Sequence, residues 1–366
     1  MKVRSTKDLV FEDIHHILLR GTNWIGDVIM TLPALAAVRE TVPHAKISVL
    51  AKPWVGEVYA NCSDVDEVIT YHSPGRHDGV KGKYRLAGEL KKETFDMAIL
   101  LQNAIEAAIL TWLARIPIRA GYDTDGRRLL LTHSVKRTRE IRKVHQIDYY
   151  VTMLESLGFR SSGRHINLVL SDEYPIIAQR VLSPYGVHGD TLIVGIAPGA
   201  AYGPAKMWFP ERFSAVADTL VDDFGAMVVL FGSGGDRERA DRVQQHARHR
   251  FINMAGETSL KEVAALISRC DLFISNDSGL MHLAGALDIP LVAIFGSTNP
   301  VTTSPVGENS IVVHKDVACS PCLKKECPTD FKCMDLIAAD DVYSAAKSLL
   351  TGHAVKAGTA GRGDGK

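Results

Sequence analysis

The chain has 366 residues, 46% of them hydrophobic, enough to bury more than one ordinary core, so two domains are expected. Lysine plus arginine equals aspartate plus glutamate, 42 against 42, which argues against a nucleic-acid partner and leaves any electrostatic function local. No apolar run is long enough to span a bilayer and the opening MKVRSTKDLVFEDIHH lacks a signal-peptide core, so the sequence reads as cytoplasmic, with no transmembrane segment.

In chain order, short apolar runs alternate with helix-length amphipathic stretches: HILLR, a helix from about Asp27 to Glu40, KISVLA, a helix near Val55, then DEVITY and DMAILL. This is the pattern of βα units around a parallel sheet. It restarts with TLIVGIA, a helix from about Pro210 to Phe224, MVVLFGS, a helix from Asp236 to about Arg248, FINMAG, SLKEVAALISRC, LFIS, GLMHLAGALD and PLVAIFG. Between the two series, residues 171–190 carry proline, glycine and charge without an obvious buried strand, as a linker would. The expectation is an α/β chain of two doubly wound, Rossmann-like domains facing each other across a cleft. The domains are set at 1–180 and 190–351, followed by a small, polar, Gly-rich tail, 352–366, expected to be disordered.

In open α/β sheets ligands bind beyond the carboxyl ends of the strands, so the strand-to-loop junctions are the candidate sites. At the first, LLRGTNWIGDVIMTLPAL, Gly21 and Gly26 have the spacing of a phosphate loop, but Asp27 stands where lysine belongs. Asp27 is either a helix-start carboxylate favoured by the macrodipole or a general base kept ionised for an incoming hydroxyl. At the second, VGIAPGAAYGPAKMWFP, Pro198, Gly199 and Gly203 allow close backbone approach and Lys206 follows, a plausible diphosphate cradle unless the lysine is merely solvated. The third, MVVLFGSGGDRERA, has Arg237 where a dinucleotide fingerprint needs glycine, which disfavours a nicotinamide enzyme. The fourth, NDSGLMHLAG, places Asn276, Asp277, Ser278 and Gly279 at a helix start, an anion site in waiting. His282 lies one turn after Ser278, on the same helical face. The alternative there is a capping Asp or Ser with a satisfied core histidine.

Taken in order, GDVIMTLPAL, APGAAYGPAKMWF and ISNDSGLMHLAGAL resemble the bacterial lipopolysaccharide heptosyltransferases of glycosyltransferase family 9, over roughly residues 15 to 350. The resemblance implies a GT-B fold, with acceptor on the N-terminal domain and ADP-heptose on the C-terminal one. It carries the catalytic base to Asp27 and the acceptor-binding first motif to Gly26 and Asp27. Donor contacts carry to Gly199, Ala200, Lys206, Thr258, Asp277, Ser278, Gly279 and His282, with Lys206 and His282 stabilising the leaving diphosphate. Some relatives place a ribose-binding glutamate after the third strand, where this chain has Gly232, Ser233, Gly234 and Gly235. The implied reaction is inverting heptosyl transfer, and with no DxD pair beside a donor loop it is expected to need neither metal nor cofactor.

Four cysteines at Cys319, Cys322, Cys327 and Cys333 have the count for structural zinc, but the second pair is wider than common knuckles, and free structural thiols are the simpler reading. Residues 76–145 hold 15 Lys or Arg against 8 Asp or Glu, a net of +7. Such a stretch is ordinarily a solvated face. In an acceptor domain, Lys81, Lys83, Arg85, Lys91, Lys92, Arg127 and Arg128 are candidates to meet lipid A phosphates at the inner face of the inner membrane. A monomer is expected. A nucleotide-sugar epimerase and a non-catalytic sugar-nucleotide-binding protein are the competing readings.

Overall fold

The computed structural model describes residues 1–5 and 8–360, with residues 353–360 given by backbone alone. It divides into two compact units, residues 1–169 and 170–366. The first contains, in order, β1 (Val3–Ser5), β2 (His16–Arg20), α1 (Ile25–Thr41), β3 (Lys46–Ala51), α2 (Pro53–Ala60) and β4 (Glu67–Thr70). It continues with α3 (Gly79–Lys92), β5 (Met97–Leu100), α4 (Ile105–Leu113), β6 (Ile118–Tyr122), β7 (His133–Val135) and α5 (Gln146–Ser156). The second begins with α6 (Glu173–Leu182), β8 (Ile193–Ala197), α7 (Pro210–Phe224), β9 (Met227–Leu230), α8 (Arg237–His246), β10 (Ile252–Asn253) and α9 (Leu260–Ser268). It ends with β11 (Leu272–Asn276), α10 (Gly279–Ala286), β12 (Leu291–Phe295), α11 (Pro300–Thr303), β13 (Ser310–His314), α12 (Lys332–Asp335) and α13 (Ala339–Ala360).

β8, β11 and β12 are buried at every position, as strands covered by helices on both faces must be, and this is why they read as continuous apolar runs. Helix limits follow local chemistry. α7 starts with Pro210 in its first turn and stops at Gly225, whose φ of 64° is left-handed. α9 starts with a capping box between Ser259 and Glu262.

The first sheet runs β1-β7-β6-β5-β2-β3-β4 and the second β10-β9-β8-β11-β12-β13. Every pairing is parallel except β1 with β7. From β2 the chain winds outward through β3 and β4, then returns to β5 on the other side; from β8 it winds through β9 and β10, then returns to β11. Each unit therefore has a topological switch point, at β2/β5 and at β8/β11, and a crevice at the carboxyl ends of those strands. Both are Rossmann-like doubly wound units, as expected. Among the described residues no helix is long and apolar enough to cross a membrane.

Two segments differ from the sequence reading. The stretch expected to be a linker contains α6, which buries Tyr174, Ala178 and Leu182 on one face and packs on α9 within the second unit. Pro175 falls in the first turn of α6, where its missing N–H costs nothing, so it signals a helix start rather than irregular chain. The unit boundary accordingly lies at 169/170 and not near 180. The expected tail is helical as far as Ala360, the continuation of α13, and its last residues, 361–366, lie outside the described residues.

If α6 belongs to the second core, Tyr174→Ala should lower unfolding stability by about 3 kcal/mol, the scale for removing a buried aromatic ring. Chemical denaturation measures it. A loss under about 1 kcal/mol would return the segment to the status of a linker.

Candidate functional site

In the second unit, β8 and β11 are adjacent and parallel, so the loops PGAAYGPAK and NDSG leave the sheet side by side. Asn276 joins them. Fully buried, its Oδ1 accepts from the backbone N–H of Trp208 at 2.9 Å and its Nδ2 donates to the carbonyl of Pro198 at 2.8 Å. Trp208 is itself fully buried and donates through Nε1 to the Ile337 carbonyl at 3.0 Å. The Lys206 loop is thus fixed at both ends.

Its middle is walled by the cysteine-bearing segment. Gly203 has φ of 152°, and a Cβ there would lie 2.5 Å from the carbonyl oxygen of Lys325, so no larger residue fits. The same carbonyl accepts from Ala205 N–H at 2.9 Å, and Tyr202 Oη donates to the Leu323 carbonyl at 2.8 Å. The Tyr202 ring lies 5.1 Å from Lys206 Nζ, within cation–π range.

Lys206 Nζ donates to Asp277 Oδ2 at 2.7 Å, with side chains only 15% and 4% exposed. Thr298 Oγ1 donates to the same oxygen at 2.6 Å. Asp277 Oδ1 lies 3.9 Å from His282 Nε2. Asp277 therefore holds and neutralises the lysine beside the start of α10, where first-turn N–H groups point outward and favour an anion. A phosphate oxygen arriving there would meet the remaining protons of the Lys206 ammonium.

In the first unit, the junction after β2 is held by Arg20, 1% exposed, which donates to the carbonyls of Gly21 and Leu50 and to Asn23 Oδ1 at 3.2 Å. Gly21 is required, because a Cβ there would stand 2.6 Å from Tyr59 Oη. Gly26 is buried and Asp27 half-buried in the first turn of α1. The Asp27 carboxylate lies near Tyr150 of α5: burial chiefly, and then the Asp27 charge, pushes that phenol well above its ordinary range. Arg20 also faces the Tyr71 ring at 5.3 Å, and Lys52 faces the same ring at 4.1 Å. Tyr71 Oη donates to Glu106 at 2.7 Å, and Glu106 pairs with Lys83 at 2.5 Å.

Several expectations are corrected by these positions. His282 is 3% exposed behind Asp277 rather than on an open helix face, and Ser278 Oγ caps α10 by accepting from Met281 N–H at 3.4 Å, so neither projects freely toward a ligand. The packing of an apolar helix on the sheet draws His282 inward. Asp277 Oδ2 is already occupied, so a sugar hydroxyl would have to use Oδ1. Arg127 is fully buried, donating to the carbonyls of Tyr122 and Gln102 and to Asn103 Oδ1; desolvation pushes its guanidinium down to about 10, and it is not a surface contact. Lys83 is committed to Glu106, while Lys81, Arg85, Lys91, Lys92 and Arg128 are exposed. Gly199 lies where a Cβ would strike Asp236, an acid that follows the glycine run and whose carboxylate accepts from Ser233 N–H and Oγ. Ala200 is buried in the same loop, and Thr258 lies in the loop before α9.

The sequence reading missed Thr298. Its only signal is that β12 neighbours β11, so FGSTNP emerges beside NDSG. The cysteines are all free thiols, with Cys333 buried in the second core and Cys319 exposed. Among the described residues, no group of three or more His, Cys, Asp or Glu is arranged to hold a metal ion.

A profile of glycosyltransferase family 9 (heptosyltransferase) matches residues 83–332. Lipopolysaccharide heptosyltransferase 2 of Escherichia coli K12 is 30% identical over 310 residues, covering 81% of this chain and 87% of that protein. The solved structure of the E. coli ADP-heptose lps heptosyltransferase II superposes with a TM-score of 0.79 at 25% identity, covering 92% of this chain and 99% of the other. A family 9 glycosyl transferase from Veillonella parvula superposes with a TM-score of 0.82 at 29% identity, covering 94% and 99%. The fold is accordingly GT-B.

The burial of Arg127 separates it from its neighbour. Arg127→Ala should destabilise the chain by about 2–4 kcal/mol, because several buried carbonyls lose their donors, whereas Arg128→Ala should change stability by less than about 0.5 kcal/mol. Denaturant titration of both variants measures this, and equal stability would restore Arg127 as a surface group.

Proposed function

The chain belongs to glycosyltransferase family 9, the heptosyltransferases, and we propose that it moves L-glycero-D-manno-heptose from ADP-heptose to heptosyl-Kdo2-lipid A, the step of heptosyltransferase II. The observation that carries the donor half is the buried Lys206–Asp277 pair beside the start of α10, at the switch point of the second sheet. A lysine held in register at a helix N-terminus stabilises charge that develops on a leaving diphosphate. Thr298 and His282 act through Asp277, keeping its carboxylate oriented so that the lysine stays aimed at the phosphates.

The acceptor half rests on Asp27 in the first turn of α1, at the other switch point. Its place at the positive end of a helix favours the ionised form. The acceptor hydroxyl attacks the anomeric carbon from the face opposite the departing ADP while Asp27 takes the hydroxyl proton, so configuration inverts. Because the proposed acceptor is lipid-linked, the proposal has the enzyme work in the cytoplasm, peripheral to the inner face of the inner membrane, and takes it to act as a monomer.

Incubation with ADP-heptose and either Kdo2-lipid A or its heptosyl derivative, followed by mass measurement, tests the assignment. A heptose gained on the heptosyl acceptor supports it; gain only on unsubstituted Kdo2-lipid A would make the chain a first heptosyltransferase, and donor binding without transfer a binding protein. Asp27→Asn should lower turnover by about two to four orders of magnitude with ADP affinity kept, the scale of a positioned base. Lys206→Ala should weaken ADP binding in calorimetry. Near-normal turnover in the first variant would reduce Asp27 to a helix-start charge.

A further inference from the structure

α4 is apolar on two faces. Ala107, Ala108, Leu110 and Thr111 are buried against the first unit, yet Ile105, Ile109 and Trp112, spaced as one helical stripe, are 43%, 37% and 52% exposed. α3 packs beside α4 and adds Val80 and Tyr84, one turn apart, at 72% and 60%. The short helical turn Arg127–Leu129, which also touches α4, adds Leu129 at 87% exposure. Scattered exposed apolar residues are ordinary on a protein surface. Six on three adjoining elements form a patch of the kind that marks an interaction site.

The charge around it is predominantly basic, although Asp78 and Glu93 at the two ends of α3 and Asp125 ahead of Arg127 are also exposed. Lys81, Arg85, Lys91 and Lys92 on α3, and Arg128 next to Leu129, are exposed. The acids within α3 and α4 are already engaged: Glu89 with Arg76 and His77, Glu106 with Lys83 and Tyr71. Aliphatic and aromatic side chains flanked by unneutralised Lys and Arg match the boundary of an anionic bilayer, where apolar groups enter the acyl region and cations stay among the headgroup phosphates. A second copy of the chain fits less well, since a two-fold contact would set this basic rim against itself.

We propose that the outer faces of α3 and α4, with Leu129, seat the first unit on an anionic phospholipid surface. This gives the proposed lipid-linked acceptor a fixed approach to the enzyme and so rests on that reading for its purpose, although the docking itself can be measured without any transfer. Trp112 and Leu129 enter the interface, and Lys81 and Arg85 meet phosphates.

The test is flotation of the full chain with vesicles of phosphatidylethanolamine containing about a third phosphatidylglycerol, against vesicles of phosphatidylcholine alone. Wild type should float with the first and not the second. Ile109→Ser/Trp112→Ser/Leu129→Ser, all at exposed positions, should keep the wild-type melting temperature and lose binding by at least about tenfold. Lys81→Glu/Arg85→Glu should lose binding to the anionic vesicles. Brominated lipid should quench wild-type tryptophan fluorescence, and Trp112→Phe should abolish most of that quenching. Equal flotation of wild type and triple variant overturns the proposal, as does failure of wild type to float. A wild type that sediments as a dimer while the triple variant is a monomer also overturns it, assigning the patch to self-association. Transfer to a delipidated, water-soluble core acceptor should be the same in wild type and triple variant; its absence in wild type strikes the proposed activity and leaves the docking result standing.

Discussion

The carboxamide of Asn276, fully buried at the end of β11, bonds at once to the Pro198 carbonyl and the Trp208 N–H, and so ties together the two loops that leave the switch point of the second sheet. No other short side chain offers a donor and an acceptor in that geometry; aspartate lacks the donor and leucine lacks both. Asp277 follows immediately, so the orientation of Asn276 sets where the Asp277 carboxylate stands. Trp208 follows Lys206 by two positions, so the same amide sets where the lysine loop returns to the core. The Lys206–Asp277 pair is in that sense a consequence of one buried polar contact. Buried polar groups of this kind are costly when half satisfied and rigid when fully satisfied.

The first unit solves a similar problem with charge. Arg20 at the end of β2 and Lys52 after β3 both face the ring of Tyr71, with Glu106 completing the set through Tyr71 and Lys83. Arg20 gives its protons to the loop carbonyl of Gly21 and to the carbonyl of Leu50 in β3, which holds the junction ahead of α1 and Asp27. Burial pulls the Arg20 guanidinium below its ordinary range, while Tyr59, Tyr71 and Glu106 act in the opposite direction. The basic character of this region thus divides into two populations. Arg20, Lys52, Lys83 and Arg127 build the unit, while Lys81, Arg85, Lys91, Lys92 and Arg128 face outward.

Much of the architecture could be read from sequence because strands buried on both faces are unbroken apolar runs: HILLR, KISVLA and LFIS lie in β2, β3 and β11. The helix expected from Pro210 to Phe224 is α7, bounded by its proline and by Gly225. After DMAILL the sequence named no element before TLIVGIA, yet α4, β6, β7, α5 and α6 lie there. β6 is IRAGY and β7 only three residues long, so neither has an apolar run to announce it. At the proposed site, Asp27 and Lys206 stand out in the sequence because each follows a strand and a glycine-containing turn, and Asp277 because it directly follows a strand and precedes Gly279. Thr298 does not, because its partner is 21 positions away and meets it only through sheet order. Arg127 carries a polar side chain that looked outward by type, and only packing reveals it as buried, whereas the burial of His282 agrees with the alternative of a core histidine.

The most direct test of this account is calorimetric titration of ADP into Asn276→Asp beside wild type, with thermal unfolding of both in the absence of ligand. The substitution keeps the shape of the side chain and an acceptor for Trp208, but sets a carboxylate oxygen against the Pro198 carbonyl. The account predicts a chain that folds with stability lowered by about 1–3 kcal/mol and binds ADP at least about tenfold more weakly, because both donor loops move with the amide. ADP affinity equal to wild type, with stability unchanged, would contradict it and place the organising contact of the donor site elsewhere.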